Sequence, residues 1–341
     1  MTNAVQSLIV TLHQNGVVNG AMTEAAFAAI MGGEASSAQI GALLMGMALR
    51  GESAAMVAGA ARAMRAAAHQ VEVASDDLLD TCGTGGDGGN TFNISTTVAL
   101  VVAACGQRVA KHGNRAISSR SGSADVLEAL GVNLALSAQQ VADSIECIGI
   151  GFIFAPQHHP AMKHAALPRR ELGVRTLFNL LGPLTNPAGA ALQVIGVYSS
   201  DILELMAQSV VELGIKRALI VHGRDGLDEI STVAISDAIL VDRGELHPFE
   251  IDPEAFGMPF AVADALKGGD AACNASIIRH ILAGQQGAGR DIVLLNAAAA
   301  LWVCGRVDGI GDGIVAAARA IDSGDAAATL VWLIAFSQAA A

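Results

Sequence analysis

Residues 80–96, DTCGTGGDGGNTFNIST, set five glycines (Gly83, Gly85, Gly86, Gly88 and Gly89) between the run VEVASDDLLD and the apolar segment STTVALVVAACG. The first flank has the short apolar character of a strand and the second the length of a helix. A glycine-rich turn between strand and helix is a place for an anion. Residues without a Cβ let backbone N–H groups approach closely, and the helix that follows presents its positive end. Gly83, Gly85 and Gly88 satisfy G-x-G-x-x-G, but a dinucleotide site also needs an acid about 20 positions on for the ribose hydroxyls. That neighbourhood reads QRVAKHGNR, where Lys111, His112 and Arg115 suit another phosphate rather than a diol. No Lys-Ser or Lys-Thr follows Gly88, so the Walker pattern fails as well. The loop binds phosphate on a different plan.

Outward from this loop, short β-type runs alternate with helical patterns: LLDTC, QRVAK, IGFIF, LQVIGVY and RALIVHG. Such alternation predicts a mostly parallel sheet covered by helices, with AILVDRGELHPFEI as a hairpin at the sheet edge. Before it, residues 1 to about 70 read as helices only. Val5, Leu8, Ile9 and Leu12 fall at helical spacing, Ser36 and Gln39 form a capping box before IGALLMGMALR, and Gly51 closes that helix. The run SAAMVAGAARAMRAAAHQ is rich in alanine and methionine, which permits close packing against a partner helix or a second subunit, or simply in a core. Ser137 and Gln140 form a second capping box, and from Asp270 the pattern returns to helices. The expected fold is α/β: a small helical N-terminal domain over residues 1–72, then a large α/β domain over 73–341.

At 341 residues, with 52% hydrophobic and 15% charged side chains, the chain has ample material for a core. A net charge of −12 argues against general binding of nucleic acid or anionic membranes. The longest apolar runs are too short or too interrupted to span a bilayer, and no signal-peptide pattern opens the chain, so a cytoplasmic location is expected. Cys82, Cys105, Cys147, Cys273 and Cys304 form no C-x-x-C and read as reduced core residues.

Three further segments carry chemistry. Residues 111–123, KHGNRAISSRSGS, follow a strand of the sheet and combine the cations Lys111 and Arg115, the amide of Asn114, and the hydroxyls of Ser118, Ser119 and Ser123. Residues 154–187, FAPQHHPAMKHAALPRRELGVRTLFNLLGPLTNP, hold His158, His159, His164, Arg169, Arg170 and Arg175. Adjacent histidines diverge and lack a third soft ligand, so arginine, whose fork grips a carboxylate, is the better clue there. Residues 222–231, HGRDGLDEIS, begin where a strand ends and place Asp225, Asp228 and Glu229 at the carboxyl edge of a parallel sheet. Paired carboxylates near a phosphate loop suit Mg2+, which shares its oxygen shell with substrate phosphates; a solvated acidic turn is the plainer alternative.

In this order, GTGGDGGNTFNIST, KHGNRAISSRSGSADVLEALG, HHPAMKHAALPRRELGVRTLFNLLGPLTNP and HGRDGLDEIS resemble the signature blocks of the anthranilate phosphoribosyltransferases, over essentially the whole chain. Gly89 stands where that family most often has alanine. The resemblance implies the nucleoside phosphorylase/phosphoribosyltransferase-like fold, with a segment near 168–188 returning to the helical domain, and a homodimer formed through that domain. It also implies two Mg2+ ions, with 5-phosphoribosyl 1-pyrophosphate (PRPP) and anthranilate as substrates. By the same resemblance, cosubstrate contacts fall on Gly83, Gly86, Asp87, Thr91, Asn93, Ile94, Ser95, Thr96, Lys111, His112, Gly113, Asn114, Arg115, Ala116, Ile117, Ser118, Ser119 and Ser123. Anthranilate contacts fall on Gly83, Asn114 and Arg169, and metal ligands on Ser95, Asp228 and Glu229. Two competing readings are a pyrimidine nucleoside phosphorylase of related architecture and a phosphate sensor without turnover. The HGNRAISS and Arg169 blocks weigh against the first. Asp228 and Glu229 weigh against the second, since a sensor has no leaving group to expel.

Overall fold

The computed structural model describes residues 3–86, 88, 91–116 and 120–340. The chain opens with α1 (Ala4–His13), α2 (Gly20–Met31), α3 (Ser37–Arg50) and α4 (Ala54–Ala66). Each starts at a polar residue, Asn3, Asn19, Ser36 or Ser53, whose side chain accepts from a backbone N–H of the first turn. At Ser36 the Gln39 side chain returns the bond, completing the capping box, and Gly51 ends α3 at φ +81°. The sequence reading singled out no helix at α2, whose buried Ala26, Phe27, Ala29, Ile30 and Met31 include three successive positions rather than a spaced stripe. The alanine-rich α4 packs against α2 almost backbone to backbone. A Cβ on Gly59 would stand 2.2 Å from the Gly20 carbonyl oxygen.

The α/β part then runs β1 (Leu79–Gly83), α5 (Ile94–Ala104), β2 (Val109–Gly113), α6 (Ser123–Leu130), α7 (Ala138–Ile148) and β3 (Ile150–Phe154). Next come α8 (Ala155–His158), α9 (Lys163–Leu172) and α10 (Phe178–Leu181), of which α9 packs on α2 and α3, and α10 on α4. The chain continues through β4 (Leu192–Gly196), α11 (Leu203–Glu212), β5 (Arg217–Gly223) and the hairpin of β6 (Ser236–Asp242) and β7 (Glu245–Ile251). It closes with α12 (Ala271–Leu282), α13 (Ala288–Val303), α14 (Ile310–Asp322) and α15 (Asp325–Ala339).

The seven strands lie in the order β3-β2-β1-β4-β5-β6-β7, with β1 to β5 mutually parallel and the hairpin antiparallel at the edge. Both faces are buried, so successive residues of one strand enter different cores. On β5, Leu219 and Val221 join the cluster with α5 and α13, while Ala218 and Ile220 join the cluster that continues into the helical bundle. The chain leaves β1 toward β2 and β3, then returns to add β4 on the other side. The order therefore reverses between β1 and β4, and the crevice outside their carboxyl ends is where an open α/β sheet binds ligands.

The cysteines depart from expectation. All five thiols are free, but Cys147 and Cys273 are exposed, because α7 and α12 bury the faces of Val141–Ile145 and Ala275–Ile278 instead. Cys105 and Cys304 are partly buried, and burial pushes their thiols up to about 11 and about 12. Among the described residues no single helix is long and apolar enough to cross a membrane; α14 and α15 pass that test only as a pair bent by 64°.

Candidate active site

β1 and β4 end in register at Gly83 and Gly196, and the turn after β5 lays Asp228 across both. A Cβ on Gly83 would meet the Asp228 Oδ2 at 2.3 Å. The glycine loop is tied to the same place. Thr84 N–H donates to the Gly196 carbonyl (2.9 Å), and Tyr198 N–H donates to Thr84 Oγ1 (3.1 Å). Gly85, Gly86 and Gly88 take φ of +64°, +77° and +72°, a conformation that residues with a Cβ rarely adopt. Gly85 N–H, of the kind expected to hold an anion, donates to Asp228 Oδ2 at 2.8 Å. Asp87 lies outside the described residues.

At the start of α5, Asn93 makes no capping bond with its side chain. It donates instead to the Ser121 carbonyl (3.0 Å) and accepts from Asn274 Nδ2 (2.9 Å), leaving first-turn amides for other acceptors. One of them, Ser95 N–H, donates to Glu229 Oε1 at 3.2 Å. Lys111, buried on β2, donates through Nζ to the Thr81 carbonyl (2.6 Å) and to Ser95 Oγ (3.3 Å). Burial draws this ammonium below its usual range, against the pull of Asp80, Cys82 and Glu229. Ile94 and Thr96 are buried, and Thr96 Oγ1 has no partner among the described residues. Glu229 is thus tied to the first turn of α5 through Ser95, and Asp228 to the glycine loop through Gly85. The Ser95 hydroxyl and these two carboxylates are hard oxygen donors that suit Mg2+ rather than a softer metal. Among the described residues no group of three or more His, Cys, Asp or Glu side chains is placed to hold a metal ion.

The loop after β2 folds back on itself. A Cβ on Gly113 would stand 2.2 Å from Ser123 Oγ, and one on Gly122 would lie 2.5 to 2.6 Å from the backbone at Asn114–Ala116. Asp125 Oδ2 accepts from both Ala116 N–H and Gly122 N–H at 2.9 Å and so closes the loop. Arg115 bridges Asp125 (3.0 Å) and Glu128 (2.8 Å) at the surface. Its charge is therefore paired within the protein. Asn114 is exposed, and Ile117, Ser118 and Ser119 lie outside the described residues.

Arg169, half-buried on α9, lays its guanidinium 4.7 Å from the centre of the Phe178 ring, and burial lowers its pKa. Arg170 is exposed. Arg175 stacks on Tyr198 at 3.8 Å and donates to the Gly86 carbonyl, so it braces the glycine loop. His112 and His159 stand 5.1 Å apart, both kept neutral by burial, which pulls them down to about 3 and about 4. Their Nε2 atoms have no partner among the described residues. Beside the glycine loop, a cleft of about 320 Å3 is lined by Gly88, Thr91, Asp225, Leu227, Asp264 and Lys267, among others. Thr91 reaches Lys267 through an isolated antiparallel bridge. Asp225 is engaged by Ser231 Oγ at 2.9 Å and shapes the acidic turn. Gly196 was overlooked in the sequence; its signal is a glycine within an otherwise β-branched run, which marks a close backbone approach.

A glycine loop at the switch point, a buried lysine and an acidic turn, joined to a helical bundle, are the parts of a transferase acting on a phosphorylated sugar. Residues 75–327 match the model of the glycosyl transferase family a/b domain, and residues 6–68 that family's helical bundle domain. The anthranilate phosphoribosyltransferase of Thioalkalivibrio sulfidiphilus is 55% identical over 308 residues, covering 90% of this chain and 91% of that protein. The crystal structure of the Thermus thermophilus enzyme superposes with a TM-score of 0.93 at 43% identity, covering 98% and 99% of the two chains. The Saccharomyces cerevisiae enzyme superposes at 0.90 in complex with PRPP and Mg and at 0.89 in complex with 4-fluoroanthranilate, each at 25% identity and 98% coverage of both chains. The chain belongs to the anthranilate phosphoribosyltransferase family.

Proposed function

We propose that this chain transfers the 5-phosphoribosyl group from PRPP to the amine of anthranilate. The products are N-(5-phosphoribosyl)anthranilate and pyrophosphate, and the step belongs to tryptophan biosynthesis. The observation that carries the reading is the hold of Gly85 and Ser95 amides on Asp228 and Glu229 at the switch point, with Lys111 beside them. These acids and Ser95 would hold Mg2+, in two ions, and the bound metal would supply charge stabilisation for the departing pyrophosphate. Gly83, Gly86, Asp87, Thr91, Asn93, Lys111, Ser119 and Ser123 bind PRPP, while Asn114 and Arg169 orient anthranilate.

An aromatic amine is already neutral near pH 7, so no strong base is needed. The protein's task is to place the amine behind C1 and to offer preorganised donors where charge builds on the leaving group. Inversion at C1 without a covalent enzyme intermediate follows from direct displacement. The division expected from the sequence, a helical part (1–72 with 168–188) and a phosphoribosyl-binding part (73–341), puts Arg169 and the loop amides on different parts that meet at the site. We also infer a homodimer through the helical part. Val17 and Leu49 are 88% and 76% exposed there, and Arg50 brings them to one end of the bundle by donating to the Leu12 and Gly16 carbonyls. Mixing the protein with anthranilate, PRPP and Mg2+ should consume anthranilate fluorescence; an undiminished signal with intact PRPP binding would overturn the reading.

A further inference from the structure

We propose that Asp80 and Asn186 are a buried positioning pair that fixes the acceptor-side segment of the chain against the ends of β1 and β2. Asp80 is fully buried on β1. Its Oδ1 accepts from His112 N–H (3.2 Å) and its Oδ2 from Asn186 Nδ2 (2.8 Å). Both Nδ2 hydrogens of Asn186 are engaged, since Nδ2 also donates to the Ala110 carbonyl (2.8 Å), and Oδ1 accepts from Ala188 N–H (2.8 Å). The parallel pairing of β1 and β2 needs no carboxylate. Burial lifts Asp80 to about 6, so a carboxyl here carries a desolvation cost that its bonds to His112 and Asn186 must offset. What the pair supplies is position.

The segment that carries Asn186 is held on both sides. The Leu184 carbonyl accepts from Arg65 Nε of α4 (2.7 Å), and the Pro183 carbonyl from Gln193 Nε2 of β4 (2.8 Å). The Gly182 carbonyl lies 3.3 Å from His112 Nδ1. Just upstream are Arg169 and the Phe178 ring beneath it. On the other side of the pair, β2 carries Lys111. Asp80 and Asn186 therefore set the offset between the half that would hold anthranilate and the half that would hold PRPP, and they need touch neither substrate. The inference rests on the reading of Arg169 as an acceptor-side residue.

Asn186→Ala removes the tie and leaves the Asp80 bond to His112, so the sheet keeps its register. The Michaelis constant for anthranilate should rise about 10- to 100-fold, the scale of a small misplacement. Calorimetric binding of PRPP with Mg2+ should stay unchanged. Asp80→Asn alone turns a donor against a donor, either His112 N–H or Asn186 Nδ2. Asp80→Asn should therefore raise the Michaelis constant for anthranilate as Asn186→Ala does, with PRPP binding unchanged. Equal losses for both substrates, or a lowered melting temperature with unchanged Michaelis constants, would overturn the pair. Arg169→Ala in the same assay judges the acceptor reading by itself: no anthranilate defect there would sink that reading, whereas a defect there with none in Asn186→Ala would sink the pair alone.

Discussion

Gly196, the last residue of β4, lies so close beneath Asp228 that a Cβ built on it would stand 1.6 Å from the Asp228 carbonyl oxygen and 2.4 Å from its carbonyl carbon. Gly83, its partner in register on β1, faces the carboxylate of the same residue. Two neighbouring strands thus end in glycine because one acidic turn crosses them both, and the acid's position is set by backbone contact.

Gly196→Ala should therefore displace the 225–229 turn rather than a flexible side chain. Overpacking of this kind costs about 1 to 3 kcal/mol, so the fold should survive with a lowered melting temperature. The Mg2+ concentration for half-maximal activity should rise, while Gly189→Ala, whose added Cβ meets nothing within 4 Å, should leave it unchanged despite its φ of +63°. A normal Mg2+ dependence in Gly196→Ala would show that the crossing does not position the acid.

Asp228→Ala and Glu229→Ala remove the acceptors of Gly85 N–H and Ser95 N–H. Both positions are half-exposed in the loop after β5, so the melting temperature should change little. Turnover should fall roughly 100- to 1,000-fold, the loss seen when a preorganised charge-stabilising group is removed. Near-normal turnover at saturating Mg2+ would remove these residues from the metal site.

Much of this architecture is legible in the sequence because its signals are local. The capping boxes at Ser36 and Ser137, the five parallel strand runs and the edge hairpin all announce themselves within a few residues. What the sequence hides is non-local. Asp80 reads as the lead-in to a glycine loop, and only the fold brings Asn186, 106 positions on, to its carboxylate. Arg115 reads as a phosphate cation, but α6 places Asp125 and Glu128 one turn apart on the face it meets. Cys147 and Cys273 read as core because they sit in apolar helices, whereas the packing of each helix decides which face is dry.

The buried titratable groups predict an acid-sensitive fold. His112 and His159 drop from the usual 6.5 to about 3 and about 4. Their stabilisation is complete above pH 6.5 and is lost as pH falls toward those values, because the unfolded chain takes up protons that the folded one refuses. Asp80, raised from 3.8 to about 6, acts the other way: its contribution is present below pH 3.8 and lost as pH rises through 6. Between pH 6 and 4 two histidines oppose one aspartate, so unfolding free energy should fall by about 1.4 kcal/mol per pH unit from these groups. Denaturant titrations across this window check it. His159→Gln should flatten the slope, and a slope that is unchanged would show that His159 is not buried neutral.

Arg169 and Arg170 are neighbours on α9 with different surroundings, which makes them a matched pair for testing the acceptor site. Arg169 is half-buried, rests on Phe178 and forms no ion pair within 4 Å among the described residues, while Arg170 is exposed. If the guanidinium held on the Phe178 face is the proposed acceptor contact, it meets the carboxylate that anthranilate carries beside its amine. A charge-assisted hydrogen bond contributes about 1.5 to 3 kcal/mol, so Arg169→Ala should weaken anthranilate use roughly 10- to 150-fold. The Michaelis constant for PRPP should barely move, since the glycine loop, Lys111 and the acidic turn are untouched. Arg169→Lys should recover only part of the loss, because an ammonium keeps the charge but not the planar fork. Arg170→Ala should behave as the unaltered enzyme for both substrates. A larger anthranilate defect in Arg170→Ala, or equal defects for the two substrates in Arg169→Ala, would place the acceptor's carboxylate elsewhere.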